Sequence, residues 1–245
     1  MAIEIRFSHL RAFGRSAAHG RHALQVEAEQ TVAMQRGTAV HALVFSTCEV
    51  LPWSGHTRRG KEYDAFAADH PDVEILTSAE FVKARRMADA VQHCKLAEPF
   101  LQGICEQTIR FPWMGLQCRA TPDVRGNGFL TELKTSVSSD PQRFTWTSLR
   151  QHYHAQMRFQ QIAAEQELGK GICYVVCIES AEPFPVTVFR FDDRALEIGQ
   201  KQLVLWAERL KGSLASDQYP AYSQSIVPLI VPEQDELIYG DDHDA

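Results

Sequence analysis

The stretch TPDVRGNGFLTELKTS, Thr121 to Ser136, constrains this chain more than any other. Two short runs of strand-forming residues flank Arg125-Gly126-Asn127-Gly128, and an Asn-Gly pair between such runs is the chemistry of a tight hairpin turn. Side chains alternate along a strand, so Leu130, Glu132 and Lys134 share one face, and Phe129, Thr131, Leu133 and Thr135 share the other. The turn can fold Asp123 back beside Glu132. Neighbouring carboxylates repel unless something positive lies between them. A divalent cation does this, and hard oxygen ligands favour Mg²⁺ or Mn²⁺ over zinc. Lys134 can donate to an incoming water or to a developing oxyanion. The set suits metal-assisted hydrolysis of a phosphodiester. A solvated hairpin face with weak salt bridges would use the same residue types, so the surroundings decide.

Upstream of the hairpin the pattern is mainly helical. Ser8, before a Leu/Phe pattern, reads as a capped helix start, and RGTAVHALVF (36–45) has helical apolar spacing with His41 among it. Residues 46–76 are rich in Pro, Gly, His and Arg and read as a long loop that could border a site. TSAEFVKARRMADAVQHC (77–94) is a helix starting at Thr77 or Ser78, with Ser78 and Phe81 falling short of a capping box. Segments 106–114 and 115–124 form a first hairpin. After the second hairpin and a Ser/Asp/Pro loop comes one long helix, 148–169, then strands in GICYVVCIES and PFPVTVFRFDD, and a helix over 194–212. This order predicts an α/β fold in which a central mixed sheet is flanked by helices. A single domain is expected over 1–232, mainly helical through 105 and catalytic over 106–212, with an acidic, flexible tail at 233–245.

Composition narrows the class. The net charge of −6 comes from that tail, which holds six acids and no Lys or Arg; the rest of the chain carries as many acids as bases. A neutral body can still present a local basic groove. No apolar run approaches the roughly 18 residues of a membrane span, and the N-terminus lacks the apolar centre of a signal peptide, so no membrane association and a cytoplasmic location are expected. The six cysteines form no CxxC pair, and Cys173 and Cys177 read as small apolar residues of a buried strand.

Taken in order, FSHLRAFGRSAAH, the G-x-x-x-H of RGTAVHALVF, the E-x-x-I of EQTIRF, PDV…TELKT, YHAQMRFQ and FPVTVFRFDDRALEIG resemble the motifs of the PD-(D/E)xK nuclease superfamily. Within it the chain most resembles the RecE-type phage and prophage exonucleases, related to the RecB nuclease domain and the lambda exonuclease. The resemblance spans roughly residues 6–212 and implies a restriction-endonuclease-like core. It implies that Asp123 and Glu132 hold metal with the carbonyl of Leu133, that His41 is a further ligand and that Glu106 is an extra carboxylate. It makes Lys134 the residue that polarises the attacking water, with Gln156 reaching the same point from its helix. The helix pattern often reads Q-x-x-x-Y; here Gln160 stands where the tyrosine would, and Tyr153 lies one turn earlier. Arg36, Arg119, Tyr153 and Arg158 are the expected DNA contacts, with Arg119 on the strand face of Asp123 and Arg143 and Arg150 flanking the helix. Phosphate contacts of this kind position DNA without reading its sequence.

The implied activity is Mg²⁺- or Mn²⁺-dependent degradation of linear double-stranded DNA from an end, 5′→3′, leaving single strands for recombination. The implied partners are a single-strand annealing recombinase and further copies in a homo-oligomeric ring. Only Cys173 and Cys177 follow the catalytic helix, so the iron–sulfur cluster of some superfamily members is not expected. Two other readings share these residues: an endonuclease or single-strand/flap nuclease, and a DNA-end-binding module with weak chemistry.

Overall fold

Turn chemistry and strand alternation produce the expected hairpin at the centre of the protein. A computed structural model describes residues 3–26, 30–55 and 57–229; the acidic tail at 233–245 lies outside the described residues. The N-terminal half holds α1 (Phe7–Arg15), α2 (Ala17–Gln25), α3 (Val32–Phe45), β1 (Val50–Trp53), α4 (Lys61–Asp69), β2 (Glu74–Thr77) and α5 (Ser78–Gln92). Then come β3 (Ile104–Cys105), β4 (Ile109–Trp113), β5 (Leu116–Ala120), β6 (Val124–Gly126) and β7 (Phe129–Ser136). The chain continues through α6 (Pro141–Arg150), α7 (Tyr153–Leu168), β8 (Ile172–Glu179), β9 (Val186–Arg190) and α8 (Asp193–Ser216). No helix among the described residues is long and apolar enough to cross a membrane.

The central mixed sheet has the order β3-β6-β7-β8-β9, with only the β7–β8 pair parallel. β8 is buried on both faces, which accounts for its near-continuous apolar run. On one face Leu130 and Cys173 pack with Met157 of α7 and Leu196 of α8. On the other, Leu133, Val176 and Ile178 pack with Ala39 and Val40 of α3 and Met87 and Val91 of α5. A third cluster joins Leu10 and Phe13 of α1, Phe111 of β4, Phe159 of α7 and Trp206 of α8. Complete burial of a side chain such as Phe13 or Phe159 contributes about 2–3 kcal/mol. α7 contributes to three separate apolar clusters, so its position is fixed from several sides.

Several sequence expectations are corrected. Ser8 lies inside the first turn of α1, whose entrance is closed by Arg6 and His9. Segment 46–76 is not a loop: β1 and β2 pair in parallel with α4 as the crossover. Its signal was hidden because the strands have four residues each, Pro52 interrupts one, and α4 buries no residue and so shows no apolar stripe. α5 does carry a complete capping box, from Thr77 to Glu80 rather than from Ser78. The long helix over 148–169 is two helices. Asp140 and Pro141 start α6, the Asp140 carboxylate accepting from the N–H groups of Gln142 and Arg143. His152, at φ 58°, then breaks the run before α7. Arg119 and Asp123 do not share a strand: Arg119 lies in β5, which ends at Ala120 and pairs with β4, and Asp123 lies just before β6 of the central sheet. Glu106 lies between strands β3 and β4, with φ 48°.

The α7–α8 crossing depends on Gly199. A Cβ there would lie 2.7 Å from the carbonyl oxygen of His154 and 2.9 Å from Cα of Ala155. Glycine to alanine in a helix interior ordinarily stabilises by about 1 kcal/mol. Here the contact is backbone against backbone and overpacking wins, so Gly199→Ala should lower stability by about 1–3 kcal/mol in urea unfolding.

Candidate active site

The β6–β7 register sets the site. Val124 pairs with Thr131, which places Asp123 across from Glu132. Asp123 Oδ2 accepts from the Leu133 N–H at 2.7 Å. Glu132 is buried, and its carboxylate accepts from Lys134 Nζ, from Gln156 Nε2 at 2.8 Å and from Gln160 Nε2 at 2.6 Å. The two glutamines are one helical turn apart on the face of α7 that covers the strand. The Tyr153 ring packs 5.2 Å from the Lys134 ammonium.

His41 arrives from the other face of the sheet. Gly37 sits one turn earlier on α3, where an added Cβ would be 3.3 Å from Thr135 Oγ1. This small residue lets α3 pass close to β7, so that His41 Nε2 reaches the Leu133 carbonyl at 2.8 Å. A carbonyl only accepts, so Nε2 carries the proton. Burial, then the charge of Lys134, lowers the pKa of His41 and keeps the ring neutral. Its Nδ1 lone pair consequently faces Asp123 Oδ2 at 3.5 Å and Glu106 Oε1 at 4.0 Å.

The electrostatics are those of crowded negative charge. Burial, then Glu132, pushes the Asp123 carboxyl well above its usual range. Burial alone would lower Lys134, but Glu132 and Asp123 outweigh it and hold the ammonium above its ordinary value. Among the described residues no three His, Cys, Asp or Glu side chains already close on one point as a metal cage. The lysine occupies Glu132, and the Leu133 N–H occupies Asp123. The donor set nevertheless fits a hard divalent cation, since three carboxylates, a neutral imidazole and a backbone carbonyl meet with a single ammonium among them.

Two clefts flank this point. One, of about 770 Å³, is lined by His41, Glu106, Lys134 and Tyr153 with the Gly37 turn of α3. The other, of about 470 Å³, is lined by Arg6, Ser8, Arg11, Arg119, Gln156 and Gln160 among others. His9 sits buried beside it; burial, then Arg6 and Arg119, depress its pKa to about 4, so the ring is neutral among these arginines.

Asp123, Glu132, Leu133, Lys134, Gln156, His41 and Glu106 are thus brought together, with Tyr153 at one edge and Arg119 at the other. Arg119 also pairs with Glu4, at 3.8 Å. Two expected DNA contacts are not brought there. Arg36 lies beside Glu80 at the α3–α5 junction. Arg158 points to the opposite side of α7 from Gln156, donating to Gln200 at 2.9 Å and Gln161 at 2.6 Å. Arg6 and Arg11 were missed; their only sequence signal was position beside the Ser-x-Leu motif. Gln160, which departs from the related helix pattern in sequence, is a hydrogen-bond partner of Glu132.

Residues 6–227 match a family described as a PDDEXK-like domain of unknown function (DUF3799). The chain belongs to this family. With it comes membership of the PD-(D/E)xK nuclease superfamily, and the family member described here is a nuclease by that membership. Among solved structures, it resembles a candidate exonuclease from Eubacterium rectale with a TM-score of 0.69 at 14% identity, covering 97% of this chain and 94% of that one. An alkaline exonuclease from Laribacter hongkongensis matches with a TM-score of 0.41 at 14% identity, over 87% of this chain and 90% of that one. Its complex with dAMP gives a TM-score of 0.43 over the same shares. No curated protein is significantly similar in sequence.

The raised Asp123 pKa has a thermodynamic consequence. Above its ordinary value of 3.8, the folded state holds a proton that the unfolded state has lost. Stability in EDTA should therefore fall as pH rises from about 4 toward neutrality. Asp123→Asn should remove this slope and raise metal-free stability at pH 7, as read by chemical denaturation across pH.

Proposed function

We propose that this nuclease is a divalent-metal-dependent exodeoxyribonuclease that shortens linear double-stranded DNA from an end, 5′→3′. The observation carrying the reading is the convergence of Asp123, Glu132, Lys134 and Gln156 between two clefts, one of them lined by three arginines. Asp123, Glu132 and the Leu133 carbonyl would hold Mg²⁺ or Mn²⁺, with His41 and Glu106 alongside. The bound cation supplies Lewis-acid stabilisation of the phosphate and of a more acidic water.

The chain's own residues do the rest. The Lys134 ammonium, kept protonated by Glu132 and Asp123, orients the attacking water and can donate to an oxygen that gains charge as the phosphodiester P–O bond breaks. Gln156 holds Glu132 so that lysine and carboxylate stay in contact. Arg6, Arg11 and Arg119 neutralise phosphates along one cleft, which makes binding salt-dependent and independent of sequence. Tyr153, with the Lys134 ammonium over its ring, lines the other cleft, where the nucleotide would pass. On this reading the product is a single-stranded tail suited to an annealing recombinase, and a ring of copies around the duplex would retain the substrate. Linear substrate separates the exonuclease from an endonuclease with the same residues. The feature that favours the end-binding alternative is Gln160 standing where related helices carry tyrosine, and that side chain donates to Glu132.

The test is a time course on end-labelled linear duplex with a closed circular duplex in parallel, in Mg²⁺ or EDTA. Only linear DNA should shorten, only with Mg²⁺, and the label position should report 5′→3′ polarity. Lys134→Ala should slow cleavage at least about 100-fold while DNA binding persists. Cutting of the circle would establish an endonuclease instead, and end binding without cleavage would establish the binding module.

A further inference from the structure

We infer that Gln160 is a positioning residue that fixes which oxygen of Glu132 is free to meet a metal ion. The inference rests on the reading of Glu132 as a metal ligand.

A carboxylate offers about four acceptor positions. On Glu132, Oε2 takes Lys134 and Gln156, while Oε1 takes Gln160 at 2.6 Å. Glu132 is 2% exposed and Gln160 is 3% exposed, so water does not compete for the contact. Lys134 shares Oε2 with Gln156 and reaches it on a flexible stem, whereas Gln160 alone engages Oε1 from the wall of α7. Rotation of the carboxylate would tear Oε1 from its donor in a place where no other is at hand. With both acceptor positions of Oε2 taken by Lys134 and Gln156, Gln160 fixes the carboxylate so that the position left open is the second one on Oε1.

The amide of Gln160 is oriented at a cost. Its own Oε1 is buried with no hydrogen-bond partner. The flipped amide would set oxygen against the Glu132 carboxylate at the same short distance, which is worse. A glutamine kept only for packing has no reason to leave a buried carbonyl unpaired. Gln161, the next residue, shows the contrast: it is equally buried and uses both ends of its amide, donating to the Gly171 carbonyl and accepting from Arg158.

That neighbour supplies the control. Mn²⁺ binding to the full chain without DNA, followed by electron paramagnetic resonance or calorimetry, reports the ligand set independently of turnover. Gln160→Met keeps size and removes the donor; it should weaken Mn²⁺ binding about 10–100-fold and raise the Mg²⁺ needed for half-maximal cleavage in parallel. Gln161→Met should lower the melting temperature and leave Mn²⁺ affinity as in the wild type. Should Gln160→Met fail to fold, Gln160→Asn, one methylene short of Oε1, is expected to show the same loss. Wild-type Mn²⁺ affinity in a folded Gln160 variant, or an equal loss in Gln161→Met, overturns the inference while leaving the metal reading intact. Wild-type Mn²⁺ affinity in Glu132→Ala overturns both.

Discussion

Burying an acid in the middle of a sheet is the constraint on which the rest of the structure depends. Glu132 sits on the central strand, paired on one side with the Asp123 hairpin and on the other with the largely apolar β8. An isolated carboxylate there would be expensive to desolvate. Three donors meet it, one from its own strand and two from α7. α7 must therefore lie flat on this face of the sheet, and its own placement is enforced by Met157, Phe159 and the close crossing over Gly199. The packing of the molecule and the satisfaction of one side chain are the same requirement seen from two directions.

Charge crowding then separates what makes the protein stable from what makes it competent. Asp123, Glu132 and Glu106 surround a neutral imidazole with a single ammonium among them. Folding alone would be served better by fewer acids, and sites of chemistry commonly carry such a burden. Gly37 contributes in the same sense: it offers no functional group, yet its lack of a side chain determines how near His41 comes to the carbonyl of Leu133.

The parts legible in the sequence are those whose determinants are local. Asp123, Glu132 and Lys134 could be placed because a turn of fixed chemistry and a period of two decide which side chains meet. The two-layered covering of the sheet followed from the order of periodic segments. Other parts were hidden for physical reasons. α4 buries nothing, so no apolar stripe announces it. The break at His152 depends on one residue in a left-handed conformation rather than on a proline or glycine. Arg158 and Arg119 were assigned by proximity in sequence, and helix phase and sheet membership send one to a helix–helix seam and the other to a cleft wall. Gln160 looked like a missing tyrosine because its partner is 28 residues away and only packing brings them together.

The hairpin has one more consequence, for the order in which the site can come into being. Asp123 and Glu132 are opposed by a two-residue turn, a closure available to a chain that has formed little else. His41 and Leu133 are 92 positions apart, and Gln160 and Glu132 are 28 apart, so the groups that answer the carboxylates are gathered only when the helices dock. Before docking, the hairpin's two acids face water, where ionisation is inexpensive; afterwards they face each other across a dry seam. The catalytic grouping is in this sense a late product of folding, completed by the elements with the longest reach.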